Sequence, residues 1–153
     1  MTPRTATGLD ELRALSGTDL GATAWFEVTQ DRVDLFADAT DDHQWIHVDP
    51  HRAAEGPFGG PIAHGYLTLS LLIPLFNRLL EVRGVTMSVN YGLDRVRFPS
   101  PVLVGARIRL RGRVETVEDV PGDGVQMALA FAVEIDGGSK PACVAQALYR
   151  HYA

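Results

Sequence analysis

A single cysteine, Cys143, stands in the 153 residues. It leaves no partner for an internal disulfide, and a reducing compartment, the cytoplasm, is expected. Positive charge is also in short supply: 14 Lys and Arg against 19 Asp and Glu give a formal net charge of −5. That sign argues against general nucleic-acid binding, which depends on a basic surface displacing counterions. Long apolar runs are missing as well. The best candidate, Tyr66 to Phe76, is interrupted by Thr68, Ser70 and Pro74 and falls well short of the ~20 residues of a membrane span. Arg4 is followed by no apolar stretch, so no secretory signal is expected there. Gly59-Gly60 is not followed by Lys-Ser or Lys-Thr, as a phosphate loop would be. No Gly-x-Ser-x-Gly elbow for a serine hydrolase is present. The histidines and acids show no metal-site spacing, and a lone thiol adds nothing to them.

The length suits one domain over 1–153 with a core of its own, preceded by a polar extension over 1–20. Within that extension Leu9, Leu12 and Leu15 carry a short helical period. Ala22 to Val28 alternates as a first strand. Thr29 then caps a helix in which Val33, Phe36, Ala37 and Thr40 share a face. Asp49-Pro50 reads as an N-cap followed by proline in the first helical position, opening a short helix through Ala54. From Gly65 to about Glu81 the spacing predicts the longest helix, apolar nearly all round and kinked at Pro74.

The second half has period two. Thr86–Phe98, Leu103–Val117, Val125–Ile135 and Ala142–Tyr152 read as strands, with glycine-rich turns between the last three. Val125, Met127, Leu129, Phe131, Val133 and Ile135 fall on one face, the mark of one-sided burial in an antiparallel sheet. Arg107, Arg109, Arg111 and Arg113 share a face that reads as solvated. A parity change between Leu93 and Val96 calls for a bulge near Gly92. Cys143, in the apolar-leaning run to Leu148, reads as a buried small hydrophobe. The fold class is therefore α+β, a single antiparallel sheet wrapped around a long central helix.

Three ordered motifs carry the chemistry. The first is Thr40-Asp41-Asp42-His43-Gln44-Trp45-Ile46-His47-Val48-Asp49-Pro50, the second Gly60-Pro61-Ile62-Ala63-His64-Gly65, and the third runs from Asn90 through Arg95-Val96-Arg97-Phe98 to Val102. Together they resemble the MaoC-like dehydratases, the (R)-specific enoyl-CoA hydratases of the hot-dog fold, from about Ala22 to the C-terminus. The chain departs from that pattern where Asp41 replaces a glycine before the acid and Gln44-Trp45 replaces Asn-Pro. The five-residue spacing to His47 selects Asp42 over Asp41. His64 is expected to help shape the glycine turn, and His43 and His51 to lie on the surface.

The resemblance implies a reversible addition of water to a trans-2-enoyl-CoA, giving the (R)-3-hydroxyacyl-CoA without redox cofactor or metal. Such a reaction needs a base for the water, an acid for the α-carbon and donors for the charge that builds on the thioester oxygen. His47 suits the base, since imidazole titrates near neutrality. Asp42 suits water orientation and proton exchange, although the two can share or reverse roles. The backbone N–H of Gly65 suits the oxyanion. Ile62, Tyr66, Leu69 and Ile73 are expected along the acyl chain, Arg95 or Arg97 against the phosphates of coenzyme A. The resemblance also implies a homodimer, while the charge and the short apolar runs give the expectation of no nucleic-acid or membrane partner. A hot-dog thioesterase, a non-catalytic acyl-CoA-binding protein and an acyl carrier protein in place of coenzyme A remain open alternatives.

Overall fold

The computed structural model describes residues 2–153. Strand β1 (Arg4–Thr7) and helix α1 (Gly8–Arg13) open it, and Ala6, Leu9, Leu12 and Leu15 are buried in the main core. The segment expected to be a polar extension thus contributes core side chains. Two short strands follow, β2 (Asp19–Ala22) and β3 (Phe26–Glu27), where the sequence predicts one over 22–28. Between them Thr23 leaves the strand geometry but keeps the same neighbour. Its N–H donates to the Leu110 carbonyl at 2.8 Å, and its hydroxyl accepts from the Leu110 N–H at 3.0 Å.

Helix α2 (Gln30–Thr40) starts at Thr29, whose hydroxyl accepts from the Arg32 N–H at 3.4 Å, and buries Val33 and Ala37. It ends on Asp41, a left-handed residue at φ 59°. Two single-turn helices come next, α3 (Trp45–Val48) and α4 (Pro50–Ala54). The Asp49 carboxylate caps α4 by accepting from the Arg52 N–H at 3.0 Å.

The long central helix is corrected by the structure. It is split into α5 (Gly65–Ser70) and α6 (Leu72–Phe76), with the break at Leu71. Pro74 has no N–H for the Ser70 carbonyl and its ring crowds that carbonyl, so the α-helical ladder fails there. Beyond Phe76 the chain turns, and strand β4 (Leu80–Arg83) pairs in parallel with β1. Nor is the helix buried all round: Leu67, Thr68, Leu72, Leu75 and Phe76 face the core, while Tyr66 and Ser70 are exposed.

The remaining strands are β5 (Met87–Arg97), β6 (Arg107–Val120), β7 (Gly124–Ile135) and β8 (Cys143–Tyr152). With β2 and β3 they form an antiparallel sheet in the order β2-β6-β7-β8-β5, β3 also lying on β6. Its inner face packs Ile108, Leu110, Val114, Met127, Leu129 and Phe131 against the central helices. Gly112 gives close packing in that face, where a Cβ would stand 3.1 Å from Leu79 and 3.2 Å from Phe131 and press both side chains aside. The outer face carries three of the four arginines in ion pairs, Arg107 with Asp136, and Arg109 and Arg111 with Glu134 at 2.6 and 3.2 Å.

Strand β6 begins at Arg107 rather than Leu103, since Gly105 at φ 86° turns the chain just before it. Strand β5 holds two irregularities where one bulge is expected. Tyr91 and Asp94 are each left out of the pairing with β8, and the second accounts for the parity change before Val96. β5 is the outer edge of the sheet and exposes Met87, Val89, Tyr91 and Leu93. The architecture is the α+β wrap of sheet around helix expected from the sequence.

Candidate active site

Asp42 lies in the loop that follows α2, one residue beyond its left-handed terminus, and is exposed. His47 sits in α3 and is 6% exposed. His64 ends the loop before α5 and is 2% exposed. The three come from separate segments, yet one polar side-chain atom of each lies within 4.8 Å of the others.

Two segments strap this arrangement together. The Ile62 N–H donates to the Ile46 carbonyl at 2.9 Å, and the Ile62 carbonyl accepts from His47 Nδ1 at 2.6 Å. A carbonyl only accepts, so Nδ1 carries the proton and, in the neutral ring, Nε2 keeps its lone pair. His64 does the same for the acid's backbone, its Nε2–H donating to the Asp42 carbonyl at 2.9 Å. Its ring stacks on that of His47 with centroids 3.9 Å apart and planes at 26°. Phe36 closes the far side at 4.9 Å. His64 Nδ1 is buried without a hydrogen-bond partner. From below, Gln30 Nε2 donates to the His47 carbonyl and to Asp34 Oδ1, each at 2.8 Å.

Burial lowers the His47 pKa from its ordinary value. The bond to Ile62 and the Asp42 charge oppose that shift, and His64 adds to it. His47 therefore stays neutral, a proton acceptor, into mildly acid solution. The spacing of Asp42, His47 and His64 is also short enough for one cation, which the sequence spacing gave no reason to expect. The stack opposes that use. Imidazole lone pairs lie in the ring plane, so near-parallel rings aim them side by side, whereas a zinc-type ion needs donors converging at about 2 Å.

Gly65 is the first residue of α5, and a Cβ there would meet the Phe98 ring at 3.2 Å. The end of β5 therefore abuts the helix entrance. The matching family model, the MaoC like domain, covers residues 12–132. The chain belongs to the MaoC-like family. It is 49% identical over 150 residues to 3-hydroxyacyl-thioester dehydratase Z of Mycobacterium tuberculosis, covering 98% of this chain and 99% of that one. Among solved structures, the monoamine oxidase regulatory protein from Archaeoglobus fulgius superposes with a TM-score of 0.80 at 22% identity, covering 100% and 99% of the two chains. The (R)-hydratase from A. caviae involved in PHA biosynthesis gives 0.70 at 24% identity over 88% and 94%. The fold is thus the hot-dog fold of MaoC-like proteins.

The other expected site residues divide into three groups. Leu69 and Ile73 line a cavity of about 240 Å³ along the central helices. Tyr66 is 71% exposed, with its ring edge-on to Phe98 at 6.3 Å, and Ile62 lies buried behind the site, acting through its backbone. Arg95 and Arg97 are exposed and line a groove of about 560 Å³ that also includes Gln146. Arg97 Nη1 donates to the Val96 carbonyl at 2.7 Å. His43 is exposed as expected, and its hydrogen bond to Asp38 raises its pKa. Sequence reasoning missed the double contact of His64 and the support from Gln30. The Ala63-His64-Gly65 segment was the available signal for His64, because an imidazole there sits beside a helix entrance. Nothing in the pattern marked Gln30. Among the described residues no helix is long and apolar enough to cross a membrane.

Proposed function

We propose that the protein is an (R)-specific 3-hydroxyacyl-thioester dehydratase, an enoyl-CoA hydratase in the reverse direction. The observation that carries this reading is the fixed His47 ring, its Nδ1 proton held by the Ile62 carbonyl and one of its ring nitrogens within 4.8 Å of the Asp42 carboxylate. The 49% identity to a named dehydratase over 98% of the chain supports it.

In the hydration direction His47 Nε2 takes a proton from water while the oxygen adds to the β-carbon. Asp42 orients that water and exchanges the proton that reaches the α-carbon. The Gly65 N–H, at the first residue of α5, has no acceptor within its helix and meets the enolate-like charge on the thioester oxygen. Water is added at constant oxidation state, so the chemistry calls for no redox cofactor, and the acid–base pair does the work assigned elsewhere to a metal. The acyl chain runs past Leu69 and Ile73, with Tyr66 at the entrance. Arg97, one residue from the Phe98 that abuts Gly65, and Arg95 beside it face the phosphates of coenzyme A. The bare edge of β5, with its exposed apolar side chains, pairs with a second copy in a homodimer. Acyl-CoA chemistry and an unpaired thiol suit the cytoplasm.

The test is hydration of crotonyl-CoA and of a longer 2-enoyl-CoA by wild type, Asp42→Asn and His47→Gln, with chiral product analysis. Formation of the (R)-alcohol, reduced by roughly 10²- to 10⁴-fold in each folded variant, is expected. Equal rates in wild type and variants would remove the pair from the mechanism, and release of free thiol would make the protein a thioesterase.

A further inference from the structure

The inward face of β8 reads Cys143, Ala145, Ala147, Tyr149, His151, so two polar side chains end a row of small apolar ones. Both are buried, Tyr149 at 6% and His151 at 3% exposure. His151 Nδ1 pairs with the Ser88 hydroxyl at 2.8 Å. The Tyr149 hydroxyl and His151 Nε2 have no partner in the protein. Buried polar atoms left unpaired are costly, and each asks for an explanation.

Tyr149, His151 and Ser88 all line a cavity of about 510 Å³ floored by Ile73 and Phe76. It shares Ile73, Asn90 and Tyr149 with the smaller cavity that starts at Leu69, one helical turn past Gly65. The two therefore follow the central helices from near the candidate site toward Asn77. The helical residues lining the larger cavity, Ile73 to Asn77, lie 8 to 12 residues beyond Gly65.

We propose that the acyl chain taken by this protein carries an uncharged hydroxyl group far from the thioester, seated against Tyr149, His151 and Ser88. The inference rests on the thioester reading above and names its substrate class. A hydroxyl both donates and accepts. It thus complements Tyr149 and also whichever tautomer of His151 the Ser88 bond selects. Burial lowers the His151 pKa, keeping that ring neutral. No Lys or Arg lines the cavity, while Glu81 does, bound to Arg83 at 2.9 Å. An anionic chain end would therefore find no cation and a carboxylate instead.

The experiment compares kcat/KM for 2-dodecenoyl-CoA, its ω-hydroxy analogue and its ω-carboxy analogue, with the decenoyl and tetradecenoyl homologues to bracket the reach. Wild type is expected to favour a hydroxylated chain over its unsubstituted parent by about tenfold, the scale of one buried hydrogen-bonding group. The carboxylated chain is expected to be the poorest. Tyr149→Phe preserves the ring packing against Phe76 and Phe131 and should bring the hydroxyl preference to near one, as should Ser88→Ala in part. Equal turnover of hydroxylated and plain chains at every length overturns the proposal, as does a preference that survives in Tyr149→Phe or a better carboxylated substrate. Crotonyl-CoA is too short to reach the cavity and separates the two readings. If neither it nor any longer enoyl-CoA is hydrated, the dehydratase reading fails and this inference falls with it.

Discussion

Replacing His64 by phenylalanine separates stability from activity, because the two ring nitrogens of His64 act in opposite directions. Nε2–H satisfies the Asp42 carbonyl at 2.9 Å, a neutral hydrogen bond contributing about 1 kcal/mol. Asp42 is exposed, so water can replace that donor. Nδ1 is buried with no partner, a desolvation cost of about 1–3 kcal/mol that phenylalanine relieves. The extra ring atom next to His47 and Phe36 costs about 1–3 kcal/mol of overpacking. These contributions nearly cancel, and the midpoint of thermal unfolding should move by only a few degrees, at about 2–4 °C per kcal/mol for this size.

Activity has no such compensation. Without the His64 donor the backbone carrying Asp42 is no longer tied to the ring that stacks on His47. A displacement of about 1 Å costs on the order of 10²-fold in rate. We therefore expect kcat for hydration of an enoyl-CoA to fall tenfold to a hundredfold, with KM changing less. His64→Gln, which retains an N–H donor, should recover part of the loss. Stopped-flow or absorbance kinetics alongside a melting curve measure both quantities. Full kcat in a folded His64→Phe enzyme would refute the positioning role. A loss of stability beyond about 4 kcal/mol would refute the assignment of an orphan nitrogen.

Four further outcomes follow from the geometry. Because burial lowers the His47 pKa, kcat/KM should hold as pH falls through the ordinary imidazole value of about 6.5 and drop only at lower pH. An acid limb at or above the ordinary value would contradict this. His47 and His151 are both depressed, so the folded chain binds fewer protons than the unfolded one. Their contribution to stability is fully present above the ordinary imidazole range and lost as pH falls through the folded-state values, which urea midpoints across that range would show. Gly65→Ala puts a Cβ 3.2 Å from the Phe98 ring and should cost about 1–3 kcal/mol while displacing the helix entrance; unchanged stability and rate would show that Phe98 yields freely. The Cys143 thiol is buried and its pKa pushed up to about 11 by burial, so an aromatic disulfide reagent should react with it only after unfolding.

The legibility of this fold followed burial. Strand β7 was readable because its alternate residues face opposite environments, and the Thr29 and Asp49 caps because their side chains act locally on the next turn. The central helix was misjudged because Leu79, Leu80 and Val82 suit a buried helix or a strand equally well, and only pairing with β1 decides between them. That pairing links Arg4 to Leu80, a separation no local window contains. At the candidate site, Asp42, His47 and Gly65 were legible from motif spacing. His64 was seen without its contacts, since its two partners lie in segments that only tertiary packing brings together. The Tyr149–His151 pair was hidden inside a strand whose period was otherwise satisfied.

One property of the sheet bears on how the protein must be handled. Strand β5 ends the sheet with a free row of N–H and C=O groups, and its side chains there include Met87, Val89, Tyr91 and Leu93. Such an edge templates the addition of any extended chain, whether a second copy or an unfolded stranger. Where a matching copy occupies it, folding and association share one equilibrium, and melting temperature rises with protein concentration. Dilution then becomes a denaturing variable, and a lysine placed on that edge at Val89 would trade cohesion for solubility.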